Sequence, residues 1–268
     1  MGPGSHCERP RDFDFTGEIV RYFDHELKGV DNGFADQPRV TRWVDGAGDA
    51  GRYVRGEAWP GEDSDTLVLY LDGGSRLAAR PGAAGSDAFA VDYDVADDAY
   101  FAFWPSPLDE HGLVWDTAPL TAPMDLLGFP VAHVTIAADR EDADVFVYLE
   151  AVDPAGEAEV VSFGRLKASQ RAISPAPWDN LGLPWHSGRS ADARPLVPGQ
   201  SAELVVPMMA TSYHVPAGSR LRFVVTGADP RQRNLADLRQ DPAPVITVAH
   251  VWEYGSRIEL PISRGEGQ

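Results

Sequence analysis

The chain holds one cysteine, Cys7, among its 268 residues, so no internal disulfide can staple it. That fits a reducing compartment such as the cytoplasm; the localisation is otherwise unknown. Lysine is nearly missing too. Lys28 and Lys167 are the only two, and the remaining cations are arginines. Lys and Arg together number 23 against 41 Asp and Glu, a formal net charge of −18. A chain so poor in cations lacks the clustered positive charge that neutralises phosphate, so a nucleic-acid partner is not expected. An anionic membrane surface is disfavoured for the same reason. No run of about 18 apolar residues occurs, which argues against a membrane span. The opening residues contain no apolar segment of the signal-peptide kind. No serine sits in a Gly-x-Ser-x-Gly frame, the strand-to-helix elbow that exposes a hydrolase nucleophile. No His-Glu-x-x-His spacing or EF-hand pattern is present. The residues call for no metal or cofactor.

Turn formers are abundant: 26 glycines and 22 prolines. Proline fixes φ and glycine permits positive φ, and both favour turns, so many short strands are expected rather than long helices. One helix is predicted near the start. Ile19, Tyr22, Phe23 and Leu27 recur at helical spacing, with Thr16 as a candidate N-cap and Gly29 placed to end the helix. Strands are predicted over 39–44, 66–71, 131–137, 145–152, 160–171, 202–206, 219–226, 245–252 and 257–261. Residues 72–128 read as loop-rich, and 173–198 as a long Pro-rich connection. A connection of that length is usually functional or packed on a partner. The expected fold is mainly β, a jelly-roll β-sandwich preceded by one helix.

Several segments in order resemble one hydrolase family. Arg21-Tyr22-Phe23-Asp24-His25-Glu26-Leu27-Lys28-Gly29-Val30-Asp31-Asn32-Gly33 is similar to its "FFDxxLKGxdNG" helix end. Thr117-Ala118-Pro119-Leu120 matches "TxPL", and residues 142–154 resemble "DtDfvvrLvDVdPdG". Residues 164–171 resemble "GilRasyR", and 255–262 resemble the closing "hpSrLvLPv". The run 212–225 with Asp229–Asn234 looks like the closing half of the accessory β-domain. These segments resemble the C-terminal region of the cocaine esterase/NonD-like and X-Pro dipeptidyl-peptidase serine hydrolases. Ser219 stands where that family often has His, and Thr226-Gly227 where it often has two serines.

The resemblance implies a galactose-binding-like jelly roll over 37–268. It also implies that residues 1–36 are a helical remnant of an α/β-hydrolase domain. That catalytic domain would be the partner, in cis or in trans. His6 aligns with the family's "GPWxH" loop, which delivers the catalytic histidine; Gly4 replaces the tryptophan. His6 would then be the general base of a triad whose serine and aspartate are not encoded here, leaving the chain inactive alone. Met1–Ser5 also has the composition of a leader left by cloning. Two alternatives stand beside this reading: a subunit of a split hydrolase contributing His6, and a stand-alone carbohydrate-binding or ligand-binding module. Trp104, Trp115, Trp178 and Trp185 form either a stacking platform or a wall against a neighbouring domain. The remaining histidines, the pair Asp142/Asp144 and the pair Asp97/Asp98 are expected to be structural. A β-domain separated from its partner would expose an apolar patch, so a homo-oligomer is a further possibility.

Overall fold

The computed structural model describes residues 12–46, 51–61, 64–95, 107–229, 239–250 and 255–263. Among these, regular structure consists of one α-helix and fifteen strands. The helix α1 spans Phe15–Lys28. Its N-cap is Asp14 rather than Thr16: Asp14 Oδ1 accepts from Gly17 N at 2.9 Å. The carboxylate satisfies an orphan N–H of the first turn and faces the positive end of the helix dipole. Gly17 is needed for this, since a Cβ there would lie 2.0 Å from Asp14 Oδ2. Gly29 ends the helix in the left-handed region at φ +67, as its position predicts.

The strands in order are β1 (Val40–Val44), β2 (Arg52–Gly56), β3 (Ser64–Asp72), β4 (Arg76–Ala78) and β5 (Gly85–Ala90). They continue with β6 (Gly112–Asp116), β7 (Met124–Gly128), β8 (Val131–Ala138), β9 (Asp144–Val152) and β10 (Ala158–Lys167). The last five are β11 (Ala202–Pro207), β12 (Thr211–Val215), β13 (Arg220–Thr226), β14 (Val245–His250) and β15 (Arg257–Ser263). One layer runs β10-β9-β13-β6, antiparallel throughout. In the other, β8 pairs with β11 along one edge and with β15 and β14 along its other edge. Beyond these lie β3 and β5, while β7 joins β15 and carries β12. β4 turns the corner, antiparallel to β3 and meeting β6 in parallel at Arg76 opposite Asp116. The chain is thus a mainly β sandwich, as its turn-rich composition and strand pattern predict.

The two inner faces make the main core. β8 shows why: Ala132, Val134, Ile136 and Ala138 are buried while the residues between them are half-exposed, the period-two signature of a sheet with one dry face. Leu149, Phe223, Leu221, Leu204, Ile246 and Leu260 meet them without solvent contact. β9 is different, because eight of its nine residues are buried and both its faces are therefore covered. On its outer face Phe146 and Tyr148 pack with Leu108, Val160 and Val224 into a second cluster.

Strands lie inside 72–128 where a loop was expected. β5 (Gly-Ser-Asp-Ala-Phe-Ala) and β7 (Met-Asp-Leu-Leu-Gly) have no β-branched residue, so their sequences carry no strand signal. Tertiary pairing with β14 and β12 makes them strands. The predicted strand 160–171 ends at Lys167, and Ala168–Gln170 form a single 3₁₀ turn.

Phe223→Ala should cost about 3–5 kcal/mol, since it removes a fully buried ring from a core that can only partly collapse. Leu27→Ala, at a helix position 75% exposed, should change stability by no more than about 0.5 kcal/mol. Urea unfolding of the two variants followed by circular dichroism checks the contrast.

Candidate functional site

His6 lies outside the described residues, as do Cys7, Trp104, the pair Asp97/Asp98 and the segment 231–234. The six described histidines stand apart from one another. His25 Nδ1 lies 3.3 Å from the Val30 carbonyl behind the helix. His111 Nδ1 meets Asp92 at 2.9 Å, and His133 sits between Glu203 and Glu259 at 3.2 and 3.3 Å. Both ring nitrogens of His186 face carbonyl oxygens, of Ala172 and Val205. His250 is buried edge-on to Trp115, with Nε2 3.0 Å from Asp87. Among the described residues no three His, Cys, Asp or Glu side chains converge as a metal centre would require. Asp142 takes backbone N–H groups from Ala143 and Ser169 and pairs with Lys167, so its role is local structure.

The nearest approach to nucleophilic chemistry is on β12. Ser212 and His214 are two residues apart and share a face, and Asp125 stands opposite His214 on β7. His214 Nδ1 lies 2.5 Å from Asp125 Oδ1, an imidazole oriented by a carboxylate. Activation would require the serine hydroxyl to touch that imidazole. Ser212 Oγ instead accepts from Arg42 Nη1 at 3.0 Å, and the hydroxyl belongs to a buried residue. This group fastens β1, β7 and β12 together. Asp45, just past β1, extends the fastening by donating its N–H to Ser212 O and accepting from His214 N.

Trp115 lies in the main core and takes no part in any surface platform. Trp178 and Trp185 do meet, edge to face with ring centroids 5.5 Å apart, in the Pro-rich connection. Trp178 remains 60% exposed, with Ile173 and Leu181 also turned to solvent.

Helix α1 presents an apolar face left exposed among the described residues. None of its residues is buried. The segment after it folds back along one side: Asn32 Nδ2 donates to Arg21 O, Gln37 Nε2 to Glu18 Oε2, and the Phe34 ring meets Tyr22 and His25. The opposite side carries Ile19, Phe23 and Leu27 at i, i+4 and i+8, with Val20 beside them, all exposed. Residues at that spacing stack on one helix face. Such a stripe costs water contact unless another surface covers it.

A part-buried polar cluster around the fully buried Glu150 escaped sequence reasoning. Arg222 of β13 stands in register between Glu150 of β9 and Asp116 of β6. Its Nε and Nη2 donate to the two Asp116 oxygens at 2.7 and 3.0 Å, and its Nη1 donates to Asp109 Oδ2. The fork-on-carboxylate bond to Asp116 and the neighbouring Asp109 charge raise the Arg222 pKa above its ordinary value. The only sequence signal was a lone glutamate within the apolar run Val145–Val152.

A family model described as the X-Pro dipeptidyl-peptidase C-terminal non-catalytic domain matches residues 32–236. A Mycobacterium bovis protein provisionally named a serine esterase is 31% identical, aligned over 98% of this chain and 45% of its own length. A Streptomyces avermitilis protein provisionally named an Xaa-Pro dipeptidyl-peptidase is 26% identical over 82% of this chain and 36% of its own. The chain therefore spans less than half the length of these curated relatives. Among solved structures, a CocE/NonD family hydrolase from Staphylococcus aureus superposes with a TM-score of 0.74 at 16% identity, over 93% of this chain and 45% of that one. An α-amino acid ester hydrolase gives 0.68 at 21% identity, over 91% and 44%. At these identities the structural likeness is one of fold. Helix α1 precedes the segment matched by the family model, yet an alignment over 98% of the chain includes it.

Arg222→Ala should destabilise the chain by about 1.5–3 kcal/mol, because it removes charge-assisted hydrogen bonds to the part-buried Asp116 and Asp109. Denaturant unfolding measures the loss, and Arg222→Lys should recover only part of it, since an ammonium cannot make the two-pronged bond to Asp116.

Proposed function

Because the chain belongs to the family of X-Pro dipeptidyl-peptidase C-terminal non-catalytic domains, we propose that it serves as the accessory β-sandwich of a serine hydrolase acting on esters or amides. Its partner is the α/β-hydrolase catalytic domain, in cis or in trans. The observation that carries this reading is the exposed stripe Ile19, Phe23 and Leu27 on a helix lying ahead of the family-matched segment. Residues 1–36 are then the closing part of the hydrolase domain, and 37–268 the β-domain. Burying each of these side chains against the catalytic domain yields about 1.5–3 kcal/mol, enough for three anchors to hold a helix in place. His6 is assigned as general base in the completed enzyme, where it takes the proton of a serine hydroxyl supplied by the partner.

By itself the chain is proposed to be non-catalytic. A second reading, a ligand-binding module, rests on the exposed Trp178 edge-packed on Trp185. Calorimetry against a panel of glycans separates the two, since heat of binding by any of them would favour the module.

Two outcomes are expected. The isolated chain should not hydrolyse p-nitrophenyl esters and should resist labelling by a fluorophosphonate; turnover abolished by that reagent would overturn the assignment. In sedimentation it should self-associate through the uncovered stripe. The double substitution Ile19→Glu, Phe23→Glu should yield a monomer while leaving the stability of the sandwich within about 0.5 kcal/mol.

A further inference from the structure

The cluster beneath the outer cover of β9 carries more negative charge than its one arginine can answer. Three carboxyl groups, Asp109, Asp116 and Glu150, surround the single guanidinium of Arg222. All three hydrogen bonds from Arg222 go to Asp116 and to Asp109 Oδ2. Among the described residues, Asp109 Oδ1 and both oxygens of Glu150 are buried without a hydrogen-bond donor. Glu150 itself is fully buried, and its carboxyl lies against that of Asp109. The buried Glu150 carboxylate and the buried Oδ1 of the part-exposed Asp109 offer each other only acceptors, whereas one added proton turns the contact into an O–H···O hydrogen bond.

We propose that Glu150 and Asp109 share one proton, and that this proton latches the 109–111 turn onto the outer face of the β9-β13-β6 sheet. Besides the shared proton, the turn is held by Arg222 donating to Asp109 Oδ2 and by Thr226 Oγ1 donating to His111 O. It is a single 3₁₀ turn with no side-chain cap, and Leu108 beside it covers Phe146, Tyr148 and Val224. The groups around Glu150 among the described residues are consistent with a shared proton. Arg222 lies opposite on β13, with Arg220 two residues before it, and Asp116 follows on β6. On the other edge β10 presents Val160, which has no charge. The turn contributes Asp109, then Glu110 and His111, and the His111 ring is engaged with Asp92. Along the same face of β9, Tyr148 donates to Asp229.

Burial, then the hydrogen bond and negative charge of Asp109, push the Glu150 carboxyl up to about 8, against the opposing pull of Arg222. The sign for stability follows. The unfolded chain releases this proton near the ordinary glutamate value of 4.5, while the folded chain keeps it until about 8. The contribution of the pair is therefore complete below about pH 4.5 and is lost as pH climbs to about 8. Within that window the unfolding equilibrium shifts by up to about tenfold per pH unit.

The test compares the wild-type chain with Glu150→Gln, whose amide can still donate to Asp109 but cannot titrate. Unfolding constants from urea titrations at pH 5 and pH 8 should diverge between the two proteins by on the order of a hundredfold or more. Parallel pH dependence would overturn the proposal. A direct reading on the unaltered chain guards against a variant that does not fold. The Glu150 side-chain carboxyl resonance in carbon-13 NMR should titrate near pH 8, and Asp109→Asn should bring its midpoint down. A midpoint near 4.5 would equally overturn it. Amide exchange at His111, whose N–H bonds Leu108 O at 3.0 Å, reports the latch. It should accelerate above pH 8 in the wild type relative to Glu150→Gln, and equal rates would show that the proton does not hold the turn.

Discussion

β9 is pressed between two apolar layers, and that position constrains everything near it. A strand with one wet face can place polar groups in solvent, whereas β9 must answer every one of them inside the protein. Its inward residues Val145, Val147 and Leu149 meet the second layer and fix how the layers pack. Its outward residues Phe146, Tyr148 and Glu150 require a cover, and Leu108 with the turn after it provides one. Glu150 is the exception: the Arg222 hydrogen bonds beside it go to Asp116 and Asp109, and its own oxygens find no donor among the described residues. Core, cover and polar cluster are consequences of the same double burial.

The helix obeys the opposite logic. Among the described residues nothing buries α1, and its shape depends on local chemistry: the Asp14 cap, the Gly29 terminator and the return of Asn32 and Gln37 along one flank. Such a helix spends apolar residues on a surface that the described residues do not supply. The contrast between a sandwich complete in its core and a helix uncovered on one face among the described residues is the physical basis for proposing a partner that covers it.

Much of this was legible in the sequence, and the failures have physical causes. β3, β8, β9 and β13 announce themselves through runs of valine, isoleucine and leucine, and their predicted bounds fall within two residues of the observed ones. β5 and β7 stayed hidden because pairing alone makes them extended. Thr16 was preferred as a cap over Asp14 although both have the right chemistry; the choice turns on which residue precedes the first helical turn, and spacing does not fix that. The separate fates of Trp115 and Trp178, one in the core and one in solvent, could not be read from composition. The covering of β9's second face was equally invisible, since it depends on a turn some forty residues upstream. The domain division at residue 36 and the role of His6 still rest on the resemblance.

The fastening of Asp45 to Ser212 and His214, with Arg42 beside it, also sets how force would travel. α1 reaches the sandwich through the β1-β2 hairpin, and the end of β1 is anchored to β12 there. Tension on the chain ahead of β1 would therefore load these bonds to β12, which is itself paired with β7.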